Sequence, residues 1–261
     1  QRPALLASSP LSLKSQNGIF FVLDGPSDNK RTTALYYVGL VGALFAASNA
    51  SLGLALTALC VHVVVISLFS AVVHRYFCHR AYEANPTLMW LAAFIPVAYG
   101  YSTPAGWAAL HSAHHAFADT DKDTHLKGWA GLFTANYRMP PFKFALAGKW
   151  FHSPRHSFLH SNALGVVLVW HTLLLLVSVD VFLWVGMMPL FTLHFCNGLH
   201  RVFSHKGTQA HNRWYLEYIC PMGGEWIHDE HHDTAKKPVF SNRWYEVDTG
   251  SIFVRLFRTA P

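Results

Sequence analysis

Residues 52–79 read LGLALTALCVHVVVISLFSAVVHRYFCH. The run 52–73 carries no charged residue and approaches the length a bilayer requires. It then passes directly into His74 and, five residues on, His79. A helix that continues past the bilayer lifts both imidazoles above the membrane surface. This junction of a span with a histidine pair decides the fold. Upstream, residues 33–48 form a second apolar run, joined to the first through a few small residues around Asn49, so the two make a transmembrane hairpin. Residues 164–179 and 181–199 make another, broken around Asp180, and its second run ends on His200. Residues 32–73 and 156–200 contain no Lys or Arg, whereas every long connection carries them. The positive-inside rule then places both termini and the 74–163 region in the cytoplasm. Residues 88–101 are apolar but short and interrupted by Pro96 and Gly100, so they read as an interfacial or buried helix. A fifth span there would also put His74 and His111 on opposite sides of the membrane. The fold expected is all-α integral membrane, with four transmembrane helices (about 33–48, 52–73, 164–179 and 181–199) in two hairpins. A cytoplasmic helical cap, 74–163 and 200–261, carries a His-rich dimetal site. The chain reads as one domain over 1–261, opening with a cytoplasmic arm over 1–31, and no internal repeat is evident. The arm has no basic start followed by an apolar core, so it is not a secretory signal; its first residue, Gln1, reads as a trimmed or incomplete N-terminus.

Composition agrees. The chain is 52% hydrophobic and 13% charged, about half the usual charged fraction. Its net charge of +6 comes without a basic stripe or binding motif, so no nucleic-acid partner is expected. Cys60, Cys78, Cys196 and Cys220 form no CxxC pair, which excludes a zinc ribbon and gives no disulfide framework.

Beyond the first pair, His111-Ser-Ala-His114-His115 reads HxxHH, and the pattern returns at His228-Asp-Glu-His231-His232. On a helix, positions i, i+3 and i+4 share a face, so three imidazoles enter one volume. With 18 histidines in 261 residues, roughly 0.08 such matches are expected by chance. Imidazole suits iron, zinc, copper and nickel. Eight histidines exceed what one four-coordinate zinc takes, and two ions account for the number better. Glu-x-x-His occurs once, at Glu225–His228, and not twice as in the soluble di-iron bundles. Asp229 and Glu230 either orient imidazole N–H groups or are solvated.

The boxes HRYFCH, HSAHH and HDEHH, in this order and spacing, resemble those of the integral-membrane fatty-acid desaturases, the stearoyl-CoA desaturase-like group. The resemblance runs from about residue 70 to 257. It takes in Trp107, the stretch Asp119-Thr120-Asp121-Lys-Asp123-Thr-His125, Gly224-Glu225-Trp226 and Trp244-Tyr245-Glu246-Val-Asp248. It implies a di-iron centre, with dioxygen as co-substrate, held by His74, His79, His111, His114, His115, His228, His231 and His232. A ninth histidine on the fourth span corresponds to His200, and an Asn acting through water to Asn197. Their spacing is three residues where the family has four. Ser112 stands where many members have Arg, Thr124 where Pro is usual, and Ala109-Leu110 where acyl-CoA enzymes carry Arg-Asp. These departures leave CoA, a carrier protein and a lipid all open as the group that carries the acyl chain. The same imidazoles can load zinc in overproduced protein.

The activity expected is O2-dependent insertion of a double bond into a saturated acyl chain. Electrons come from a partner such as cytochrome b5 or ferredoxin, since no haem motif, nucleotide fingerprint or cluster cysteines are present. The membrane is the endoplasmic reticulum or the bacterial inner membrane. The rivals are a di-iron lipid or alkyl hydroxylase and a non-catalytic membrane metal-binding or transport protein. Among the other histidines, His152, His156 and His160 read as an interfacial polar face. His62, His171 and His194, inside the spans, read as hydrogen-bonded to neighbours. His125, His205 and His211 have no assignment.

Overall fold

The computed structural model describes residues 26–118, 120, 123, 124, 129, 132, 153–206 and 209–259. Of the expected N-terminal arm, residues 1–25 lie outside the described residues, as do His125 and His152.

Helices α1 (Pro26–Ser48) and α2 (Leu52–Cys78) form the first hairpin. Its turn is closed by the Ser51 hydroxyl, which accepts the Leu54 N–H at 3.2 Å as an N-cap. Helix α2 is α-helical to Leu68 and π-helical over Phe69–Cys78. The apolar run after it forms two short helices, α3 (Pro86–Ala92) and α4 (Phe94–Ala98), stopped by Gly100 at φ +68°. Helix α5 (Pro104–Phe117) begins on Thr103, whose hydroxyl accepts the Gly106 N–H at 3.1 Å. Helices α6 (Pro154–Ser161) and α7 (Ala163–Val177) meet at a bend of 62°. The second hairpin then turns at Ser178, which caps α8 (Val179–Phe203) by accepting the Val181 N–H at 3.0 Å. The break expected at Asp180 therefore falls two residues earlier, and Asp180 sits in the first turn of α8, where a negative charge is favoured. A two-residue antiparallel ladder follows, β1 (His205–Lys206) with β2 (Gln209–Ala210). Short helices α9 (His228–Asp233) and α10 (Gly250–Phe257) complete the chain.

By length and composition, α2 and α8 can cross a membrane, with 27 and 25 residues and mean hydropathy of 2.5 and 1.6. The bent pair α6–α7 makes a third if it is one broken span. The apolar part of α1, Thr32–Ser48, is roughly 25 Å long at 1.5 Å per residue, short of the ~30 Å hydrocarbon core. Leu44, Phe45, Leu52, Leu176 and Val177 are each more than 60% exposed, a surface that suits lipid rather than water. Helix α1 lies close on α8 because Gly42 has no side chain; a Cβ there would come within 2.5 Å of Met187 Cβ. Between α2, α4 and α7 lies an apolar groove of about 850 Å³, lined by residues that include Val65, Tyr99, Gly165, Val169 and Trp170. Val65 and Tyr99 also belong to the buried core with Phe69, Tyr101, Trp107 and Trp226, which lies beside the histidines.

Candidate metal centre

His74 and His79 are five residues apart, so on an α-helix they would point about 140° from each other. The π-helical end of α2 removes that mismatch. His79 N–H donates to His74 O at 3.1 Å, an i→i+5 bond, and the two Nε2 atoms come within 3.0 Å. Helix α5 adds His111 and His115, and α9 adds His231. The Nε2 separations are 2.8 Å for His74–His111, 3.2 Å for His74–His231, 2.9 Å for His111–His115, 3.0 Å for His115–His231 and 3.3 Å for His111–His231.

A second cluster lies alongside. His228 Nε2 is 2.7 Å from His205 Nε2 and 3.1 Å from His232 Nε2, and His232 is 3.2 Å from His114 Nε2. The two HxxHH boxes are interleaved. The i and i+4 histidines of α5 join the first cluster, and its i+3 residue, His114, joins the second. Those of α9 join the second, and its i+3 residue, His231, joins the first.

Protons alone cannot satisfy such contacts. Each Nε2 either carries a hydrogen or presents a lone pair. In the triangle His74–His111–His231 at least two of the three must be alike and repel. A shared cation resolves this, and bonds of about 2.1 Å to one ion set neighbouring nitrogens roughly 3.0–3.4 Å apart. Each group of ligand atoms, His74, His79, His111 and His231 in one and His114, His205, His228 and His232 in the other, falls within 4.8 Å. The donor sets fit a metal ion each. Electrostatics agree: burial first, then neighbouring imidazoles, push His79 and His232 down to about 3 and hold His111, His115, His228 and His231 well below the ordinary histidine value. The rings are neutral and available as donors.

Two carboxylates orient this array. His74 Nδ1–H donates to Glu225 Oε1 at 2.8 Å, and Ser70 donates to the same oxygen. His114 Nδ1–H donates to Asp123 Oδ1 at 2.7 Å. Each bond fixes the tautomer and leaves Nε2 facing the cluster. Burial works to raise Glu225, but His74, Arg75 and Ser70 outweigh it and hold the carboxyl at about 2. Asp229 and Glu230, inside the third box, do other work. Asp229 Oδ1 accepts the Glu230 N–H at 2.6 Å, and Glu230 pairs with Lys237 at 3.6 Å and with Asn242.

The flanking stretches acquire physical roles. Trp107 stacks on His111 with centroids 5.2 Å apart and planes at 14°. Arg75, fully buried, holds Asp248 through two bonds of 2.7 and 3.0 Å and donates to Gly223 O and Pro238 O. Its guanidinium lies 3.7 Å over the ring of Phe240, which packs against His231. Gly224, at φ +93°, makes room for this pair, since a Cβ there would reach 2.5 Å from Asp248 Oδ1.

His200 lies at the end of α8, but its Nε2–H donates to Glu225 O at 2.8 Å, and its ring stands 4.6 Å from that of His228. Asn197 is buried one turn earlier on the same helix. His205, unassigned from sequence, is in the second cluster. His156 and His160 are buried rather than interfacial, packed on Phe77 and bonded to Thr103 at 2.7 Å. The three histidines inside spans bond to neighbours, as expected: His62 to Thr192 and Pro221 O, His171 to Val167 O, and His194 to Gly100 O.

No family model matches the chain. Curated relatives do. Over 250 residues, 86% of this chain and 89% of the relative, it is 25% identical to an sn-1 stearoyl-lipid 9-desaturase of Anabaena variabilis. It is 24% identical to a Delta-9 desaturase-like protein of Arabidopsis thaliana over 206 residues, 70% of this chain and 66% of the relative. It is also 24% identical to an acyl-CoA 5-desaturase of Anemone leveillei over 200 residues, 70% of this chain and 62% of the relative. The chain thus spans slightly less than two thirds of the two plant relatives and most of the cyanobacterial one. With paired histidine clusters at the end of an apolar span and relatives of one kind along most of its length, the chain resembles the fatty-acid desaturases.

Proposed function

We propose that this chain is a membrane fatty acyl desaturase that uses two iron ions and dioxygen to insert a double bond into a saturated acyl chain. The observation that carries the reading is the pair of abutting all-imidazole clusters set beside an apolar core and groove. The ligands proposed are His74, His79, His111, His115 and His231 for one ion and His114, His228 and His232 for the other. His200 is the ninth, with Asn197 acting through water. Bound iron would supply the one-electron chemistry with dioxygen that an unactivated C–H bond requires.

The protein's own part is orientation. Glu225 and Asp123 fix imidazole tautomers, Trp107 and Phe240 wall the first cluster, and the core excludes water from the reacting methylenes. The groove between α2, α4 and α7 has the size of a ligand site and suits the far end of an acyl chain. The balance is one chain, one O2, two electrons and two protons giving an alkene and two waters. The electrons come from a cytochrome b5-like or ferredoxin partner. A lipid-linked chain heads the possible carriers, because the cyanobacterial relative is named for one and Ala109-Leu110 stand where acyl-CoA enzymes carry Arg-Asp. CoA and carrier-protein esters follow.

The topology proposed has four spans in two hairpins, α1–α2 and α7–α8, in a single domain. The histidine cap and both termini face the cytoplasm, in the endoplasmic reticulum or the bacterial inner membrane. The test is a fatty-acid profile by mass spectrometry after expression in a desaturase-deficient host, with His231→Ala as control. An oxygen-dependent monoene absent from the control is expected. Hydroxylated chains would make the protein a hydroxylase, and bound metal with no product would make it a non-catalytic metal-binding protein.

A further inference from the structure

The two spans that end in histidines end alike. Span α2 closes on His74-Arg75-Tyr76-Phe77-Cys78-His79 and span α8 on His200-Arg201-Val202-Phe203-Ser204-His205. With 18 histidines in 261 residues, an HxxxxH pair alone is expected roughly once by chance. Arg at the second position and Phe at the fourth, in both, lower the expectation to below about 0.01. Each span follows a serine N-cap at a hairpin turn, and each is followed later by one HxxHH helix. Arg75 and Arg201 are both buried.

The structure repeats the relation in space. His111 and His115 stand to the first cluster as His228 and His232 stand to the second, and each box sends its middle histidine across. His74 and His200 are both tied to Glu225, but His74 through Nδ1 on the carboxylate, which leaves Nε2 in its cluster, and His200 through Nε2 on the carbonyl, so the halves match in order and in their closing histidines rather than in every contact. His79 closes the first cluster 3.0 Å from His74, and His205 closes the second 2.7 Å from His228.

We propose that the metal centre is built from two half-sites of like order, HRYFCH with HSAHH and HRVFSH with HDEHH, and that His205 is a ligand of the second ion, the counterpart of His79. The inference rests on the metal-binding reading above. It goes beyond the nine-histidine pattern, because His205 lies after the end of the span, on strand β1, and is not among the residues that pattern names. The route differs between the halves. The first box reaches its cluster by continuing as a π-helix, whereas the second leaves the helix at Phe203 and carries His205 on strand β1, paired with Ala210 and flanked by His211 N–H donating to Ser204 O at 2.8 Å.

The test measures metal, not turnover. Full-length protein in detergent is stripped by chelation and titrated with cobalt(II), and the bound ions are counted by mass spectrometry alongside the visible absorption. Wild type is expected to bind two ions. His205→Ala and His79→Ala are each expected to bind one tightly. Their other ion should weaken by more than the roughly 10–100-fold that loss of an outer hydrogen-bond partner costs. His205→Asp keeps a donor atom and is expected to hold both ions with a shifted cobalt spectrum, which separates ligand loss from misfolding. Two ions of unchanged affinity in His205→Ala, with loss of one in Asn197→Leu, would overturn the proposal and leave the nine-histidine reading intact. A wild type that binds no ion would overturn both.

Discussion

Asp123 and Glu225 each hold one imidazole by its outer nitrogen, so their value lies in tautomer and aim rather than in contact with an ion. Replacing Asp123 by Asn keeps an acceptor for His114 but removes the charge. The second ion is expected to bind about 10–100-fold more weakly, read by competition against a chelator, while the first ion is unchanged. Glu217 poses a different question. Its Oε1 accepts the N–H groups of Met222 and Gly224 at 2.9 and 3.0 Å, in the loop that presents Glu225. Burial, opposed by those two bonds and reinforced by Asp248 and Glu225, raises this carboxyl to about 8 from an ordinary 4.5. A raised acid contributes stability that is fully present below the unfolded value and is lost as pH rises through the folded one. The buried histidines, held below their ordinary value, act in the opposite sense below about pH 6.5, so the Glu217 share is read as a difference between wild type and Glu217→Gln. In thermal unfolding in detergent, the stability of wild type relative to Glu217→Gln should fall as pH rises from 4.5 to about 8. A difference that does not change with pH would assign no such role to Glu217. The roles of Asp123 and Glu225 were only partly legible in the sequence. Both lie in stretches that resemble the family, yet nothing in their spacing says which imidazole each holds. The nearer acids, Asp229 and Glu230, face away.

At the scale of elements, the two HxxHH boxes read as helices because helical spacing brings i, i+3 and i+4 to one side. That part was open to inspection, and α5 and α9 bear it out. The division of each box between two clusters was not, since it depends on how two distant helices dock. Nor could HRYFCH be read as a converging pair, because its five-residue spacing works only on a π-helix and no side-chain pattern announces one. His205 escaped for a related reason: its likeness to His79 rests on a six-residue motif whose meaning appears only once both spans are seen to end at one site. The docking of the C-terminal segment depends on the Arg75–Asp248 pair. Asp248→Ala would leave a buried guanidinium without its counter-charge, and we expect a loss of about 3–5 kcal/mol, measured by unfolding of the purified protein. Arg75→Met combined with Asp248→Leu should restore part of that loss, since two apolar groups leave no charge stranded.

For the whole molecule, hydropathy located the apolar runs but did not show which fold as unbroken helices long enough to cross, because length and bend depend on where caps fall and where helices pack. Ser178 ends α7 after 15 residues, and the 62° bend divides that segment from α6. The groove between α2, α4 and α7 was not readable at all, as its walls come from three separated stretches. Gly165 offers a direct probe of it. It lines the groove, and a Cβ there meets no atom within 4 Å. Gly165→Trp should fill the space without disturbing the helix. We expect metal content to be unchanged and the products to shift towards shorter acyl chains, by several-fold in the ratio of shorter to longer substrates used. An unchanged chain-length profile would show that the reacting chain lies elsewhere. The crossing of His114 and His231 between clusters has a consequence for biosynthesis. Neither ion can gather its full set of ligands from one half of the chain, so a nascent polypeptide halted before residue 228 offers only open, partial sites. With the ligands proposed above, metal loading would come late in synthesis, after both apolar hairpins have been made, and a chain truncated there would lack a complete metal site.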